Sequence, residues 1–114
     1  MTTYTTKISK NHYGLTAKTE IDLNKQTEEG AMKLQVTSSK HSVGTVSATA
    51  TVIYRKDDHS YSTMLMQDYS KSIARAKIAR VTAKSLEAFH IEALKEVPNA
   101  LKEVAQQYNM QGVA

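Results

Sequence analysis

The chain has no cysteine and no tryptophan, one proline, one phenylalanine and four glycines in 114 residues. Without cysteine there are no disulfide staples, no thiolate nucleophile and no thiolate metal site. Stability must therefore come from packing and hydrogen bonds. The glycines stand singly, so neither a Walker-type nor a dinucleotide-binding loop can be built. A nucleophile elbow and the His-x-Glu with paired cysteines of a zinc deaminase are missing as well. No apolar run approaches the ~18 residues of a membrane span. The threonine-rich start also lacks the apolar segment of a signal peptide, so the expectation is a cytoplasmic protein without a membrane partner, a cofactor or an enzymatic activity.

Hydrophobic residues make up 40% of the chain and charged ones 23%, the composition of an ordinary globular protein. Residues 1–114 are expected to form one domain. The formal net charge of +4 and the isoelectric point near 9.3 favour nucleic acid or an acidic protein surface as partner.

Residues 2–67 read as strands. Tyr4, Thr6 and Ile8 form a short alternating face and Tyr13, Leu15, Ala17, Thr19, Ile21 and Leu23 a longer one. Thr16, Lys18, Glu20 and Asp22 alternate with the latter, which predicts a sheet with one wet face. After the break from Asn24 to Gly30, Met32, Leu34, Val36 and Ser38 alternate again. Val46, Ala48, Ala50, Val52 and Tyr54 make the most regular strand. A polar turn over 55–60 leads to a strand expected over 61–67. Short loops imply an antiparallel meander.

Residues 69–95 carry a helical pattern, capped by Asp68 or Ser70. At 100° per residue, Ile78, Ala79, Thr82, Ser85, Leu86, Phe89 and Ala93 share one face, with Lys77, Arg80 and Lys84 almost opposite. Pro98 opens a second, shorter helix over 98–108, with Leu101, Val104, Ala105 and Tyr108 at helical spacing. Ile73, Ile91 and Leu94 lie off the main face. Ile91 and Leu94 are assigned to packing against the second helix or against another subunit, which would make a homodimer through Ile91, Leu94 and the C-terminal helix. The predicted fold class is α+β: a meander of about five strands, then one long amphipathic helix on the sheet and a short C-terminal helix.

Metal signals are thin. Glu87 to His90 matches the Glu-x-x-His half-motif of di-metal bundles, but one copy reads better as a surface i, i+3 pair. Asp57, Asp58 and His59 fit a turn better than a ligand triad. His12 and His41 read as loop residues. Tyr13 and Tyr54 are placed in the core, while Tyr61 and Tyr69 sit where rings could stack on bases.

The segment from Ser70 to Phe89 resembles, in Ser70, Lys71, Ala76, Lys77, Ala79 and Ala83, the last helix of double-stranded-RNA-binding domains, whose basic N-terminus sits on phosphates. The resemblance is one of helix composition. That domain begins with a helix where this chain has strands, and no glycine stands in the segment before Ser70.

The functional expectation is a small non-enzymatic nucleic-acid-binding protein. A basic helix face would use Lys77, Arg80 and Lys84 at its centre, Lys71 and Arg75 at the rim, and Tyr61 and Tyr69 alongside. The rival expectation is a protein–protein module, such as a viral or mobile-element inhibitor of a host protein that handles nucleic acid or serves in defence.

Overall fold

The computed structural model describes residues 6–11, 14–28, 30–42, 44–55, 69–78 and 80–108. Five strands, β1 (Thr6–Asn11), β2 (Gly14–Thr27), β3 (Gly30–Ser42), β4 (Thr45–Arg55) and β5 (Ser70–Lys77), precede two helices, α1 (Ala83–Leu94) and α2 (Val97–Gln107). The strands form one antiparallel sheet in the order β1-β2-β3-β4-β5. The fold is α+β, as the period-two pattern followed by helical spacing implies. The expected strand at 61–67 lies outside the described residues, as do Tyr4, Tyr13 and Tyr61.

Alternation places the core. Ala17, Ile21 and Leu23 of β2, Met32, Leu34 and Val36 of β3, and Val46, Ala48, Ala50, Val52 and Tyr54 of β4 are all buried. Their cross-strand register joins them into one apolar face; Ile21 stands opposite Leu34 and Leu34 opposite Val52. Leu86, Phe89 and Ala93 of α1 and Val97, Ala100, Leu101 and Val104 of α2 are buried as well. Fully burying each larger aliphatic side chain contributes about 1.5–3 kcal/mol. A tight turn and a bulge shape the sheet. Gly44 takes φ +76° at the β3–β4 turn, a conformation that L side chains disfavour. Asn24, at φ 56°, sits in a β-bulge where its N–H is accepted by Asp22 Oδ1 at 2.8 Å.

The long helix expected over 69–95 is corrected. Its first third is the edge strand β5, and α1 starts only at Ala83. Ala, Arg and Lys are good helix formers, and their propensity masked the alternation Ala74-Arg75-Ala76-Lys77. The free edge of β4 decides the outcome, since its backbone groups need a ladder partner. Ser70 lies in β5 and is not the cap, and Asp68 lies outside the described residues. Thr82 caps α1: its Oγ1 accepts from Ser85 N at 3.1 Å, and Ser85 Oγ accepts from Thr82 N at 2.9 Å. With Ser70–Lys77 in a strand, the likeness to an RNA-binding helix does not carry over. Pro98 does open the second helix, within its first two positions.

Leu94 packs against the core cluster that includes Val97 and Val104, so this chain uses it internally. Ile91 is 51% exposed and is the exposed large hydrophobic among the described residues. No helix among the described residues is long and apolar enough to cross a membrane.

Candidate nucleic-acid interface

The helices cover one face of the sheet; side chains of opposite parity form the other, mostly half-buried or exposed, with Ile53 of β4, opposite Lys33, the buried exception. Pairing gives the order of that face row by row. Ser9 stands opposite Thr16, Thr16 opposite Ser39, Ser39 opposite Ser47 and Ser47 opposite Arg75. The next row runs Lys7, Lys18, Thr37, Thr49, Ser72, and the one after it Glu20, Gln35, Thr51, Ser70. Lys77 lies opposite Thr45 beyond the first row. Five strands at about 4.8 Å spacing make this hydroxyl-rich surface roughly 19 Å across.

Charge on this face is unevenly compensated. Arg55 reaches across β3 to Glu20, its Nε donating to Oε1 at 2.6 Å and its Nη2 to Oε2. The Arg55 guanidinium holds the Glu20 carboxyl below its ordinary range, and the pair raises Arg55 in turn. Lys33 lies 4.0 Å from Asp22. Lys7, Lys18, Arg75 and Lys77 are exposed, and among the described residues no carboxylate pairs with them. Lys7 stands directly opposite Lys18, where like charges destabilise a strand pair.

The expected binding residues divide. Arg75 and Lys77 join the open face. Lys71 sits on the other side, opposite the inward-facing Ala50, and its Nζ donates to Glu103 of α2 at 2.5 and 3.1 Å. Arg80 lies in the connection before α1, and Lys84 in the first turn of α1, both exposed. The central trio Lys77, Arg80 and Lys84 therefore does not form one helical stripe. Tyr69 is not an accessible ring: it is buried at 8% exposure and its hydroxyl donates to Glu103 Oε2 at 2.9 Å. Burial, then the Glu103 carboxylate, pushes its phenol up to about 12. Tyr61 lies outside the described residues. Lys7 and Lys18 escaped the sequence reading, because the wet face was legible strand by strand while their opposition needs the β1–β2 register.

His90 is not a surface residue paired with Glu87. It is fully buried on the inner face, with Nε2 2.7 Å from Thr19 Oγ1 and Nδ1 2.6 Å from Ser38 Oγ. Thr19 Oγ1 continues the chain to Thr6 Oγ1 at 2.8 Å. Both ring nitrogens are occupied, and among the described residues no three His, Asp or Glu side chains gather to hold a metal ion. No protein-family model, curated protein or solved structure matches the chain.

Proposed function

We propose that this is a non-enzymatic nucleic-acid-binding protein that lays a phosphate backbone across the open face of its sheet. The observation that carries the reading is the set Lys7, Lys18, Arg75 and Lys77 on one face, without carboxylate partners among the described residues. Two lysines directly opposed cost stability until an anion lies between them. Serine and threonine hydroxyls on the strands between them add neutral donors to phosphate oxygens. The described part of this face presents no aromatic ring, since Tyr54 and Tyr69 are buried in the core. Contacts of this kind hold the backbone and are indifferent to base sequence.

Fluorescence anisotropy with single-stranded and double-stranded oligonucleotides over a salt series tests the reading. Four phosphate contacts predict a log–log salt slope of about −3 on a single strand. Lys7→Ala with Lys18→Ala, and Arg75→Ala with Lys77→Ala, should each weaken binding and reduce the slope by about half. Lys71→Ala, on the covered side, should change it little. Absence of binding at low salt overturns the proposal.

A further inference from the structure

Among the described residues β5 is an edge strand. It pairs with β4 on one side and, among the described residues, with no strand on the other. Such an edge offers a row of backbone donors and acceptors for another strand. Beneath it, β5 and α1 flank a shallow, open groove of about 490 Å³ whose apolar lining includes Ile73, Ala76, Ile78, Ala88 and Phe89. A bulge at Ala48/Thr49 gives β5 one additional residue, and Ile73 packs against both core clusters. The edge thus presents two chemistries at alternate positions. Ala74 and Ala76 lie on the groove side; the register puts Arg75 and Lys77 on the open face, and Arg75 also borders the groove at its rim.

We propose that the β5 edge takes an extended segment of another protein in which small aliphatic residues alternate with carboxylates, added to the sheet as a further strand. Main-chain hydrogen bonds to the edge would supply affinity, and alternate side chains would supply selection. On the groove side, Glu92 and Glu96 outnumber Arg75 in the lining, so the wall is net negative, which disfavours a carboxylate there and favours an aliphatic side chain. On the open side, Arg75 and Lys77 match carboxylates. A second copy of this chain fits poorly, because β5 carries Lys71, Arg75 and Lys77 and no acidic residue. Self-pairing would bring cations against cations. The proposal does not depend on nucleic-acid binding, although an acidic strand and a phosphate backbone would compete for Arg75 and Lys77.

The test uses a fluorescein-labelled eight-residue peptide alternating valine and glutamate, matched to the length of β5. Its controls are an alternating valine–lysine peptide and a scrambled valine–glutamate peptide. Ala88 is exposed on α1 and lines the groove, so Ala88→Trp fills the groove without disturbing the core, which circular dichroism verifies. The valine–glutamate peptide should bind at least about tenfold more tightly than either control, and Ala88→Trp should weaken it by about tenfold or more. Arg75→Glu with Lys77→Glu should abolish the preference for glutamate over lysine. Lys7→Ala with Lys18→Ala should leave peptide binding unchanged while weakening oligonucleotide binding, so the two readings can fail separately. Equal binding of the three peptides, no binding at all, or indifference to Ala88→Trp overturns the proposal. So does a dimer in sedimentation that Ala88→Trp dissolves, which would assign the groove to a second copy.

Discussion

His90 and Ser38, far apart in the chain, meet in the core with Nδ1 2.6 Å from Oγ, and neither is exposed to solvent. Burial holds the imidazole below its ordinary pKa, so the ring is neutral, with one nitrogen donating and the other accepting. The unfolded chain takes up a proton near pH 6.5 that the folded chain resists. Stability is therefore full above that value and falls as the pH drops below it. Thermal unfolding between pH 8 and pH 5 should show this loss. His90→Leu should flatten the pH dependence in that window and cost about 1–3 kcal/mol at pH 8, by removing the ring from the Ser38 hydroxyl and leaving Thr19 with Thr6 alone.

Glu20 and Arg55 tie β2 to β4 across β3 through two hydrogen bonds. Because the folded pKa of Glu20 lies below its unfolded value, the contribution of this pair is present above about pH 4.5 and is lost as the pH falls through the folded value. Glu20→Gln should destabilise by about 1 kcal/mol near neutral pH, a modest figure because both side chains remain partly exposed to screening solvent. Urea unfolding at pH 7 and at pH 3 measures it, and the difference between the variant and the parent should shrink at the lower pH.

At the alkaline end, Tyr69 contributes a pH dependence of its own. Its hydroxyl donates to Glu103, which Lys71 also engages, and its backbone N–H donates to the hydroxyl of Tyr108, so α2 is fastened to the start of β5. A phenol raised to about 12 favours the folded state only while protonated. Stability should hold below pH ~10 and decline as the pH rises from there through the folded value. An ultraviolet titration of phenolate formation should show a late-titrating component that Tyr69→Phe removes. That variant should also lose about 0.5–1.5 kcal/mol at neutral pH.

Thr82 is exposed, yet it fixes the start of α1. Thr82→Ala should cost about 1 kcal/mol, measured by thermal unfolding, and Thr82→Ser should restore most of it. Lys84, in the first turn, works against the helix dipole by about 0.3–1 kcal/mol. Lys84→Glu should therefore stabilise the protein by a comparable amount.

The apolar face of the sheet was legible in the sequence wherever alternation was clean, from Leu15 to Leu23 and from Val46 to Tyr54. The second helix was legible because Pro98 and the spacing of Leu101 and Val104 agree. β5 was hidden because Ala74-Arg75-Ala76-Lys77 satisfies both periods, and only the neighbouring β4 edge decides between them. The cap at Thr82 was obscured for the same reason: a helix already expected from residue 69 leaves no reason to look for a start at 82. His90 was misplaced because its neighbours, Glu87 and Ile91, are exposed. Its hydroxyl partners come from β2 and β3, and sequence spacing carries no record of that meeting. The open-face cations are a matter of register, which strand patterns leave undetermined when both edges are polar.

The order β1-β2-β3-β4-β5 sets each strand beside its neighbour in sequence, and both helices come after the sheet. During synthesis from the N-terminus, hairpins can close as they emerge. The apolar face bearing Leu34, Val36 and Val52 is then made before the segments that cover it, Ala83–Leu94 and Val97–Gln107. A nascent chain stalled before Ala83 would present a greasy, half-finished sheet to chaperones and to other nascent chains. That exposed face lasts until Ala83–Gln107 has been made and can dock, so the last quarter of the chain closes the core of the first three.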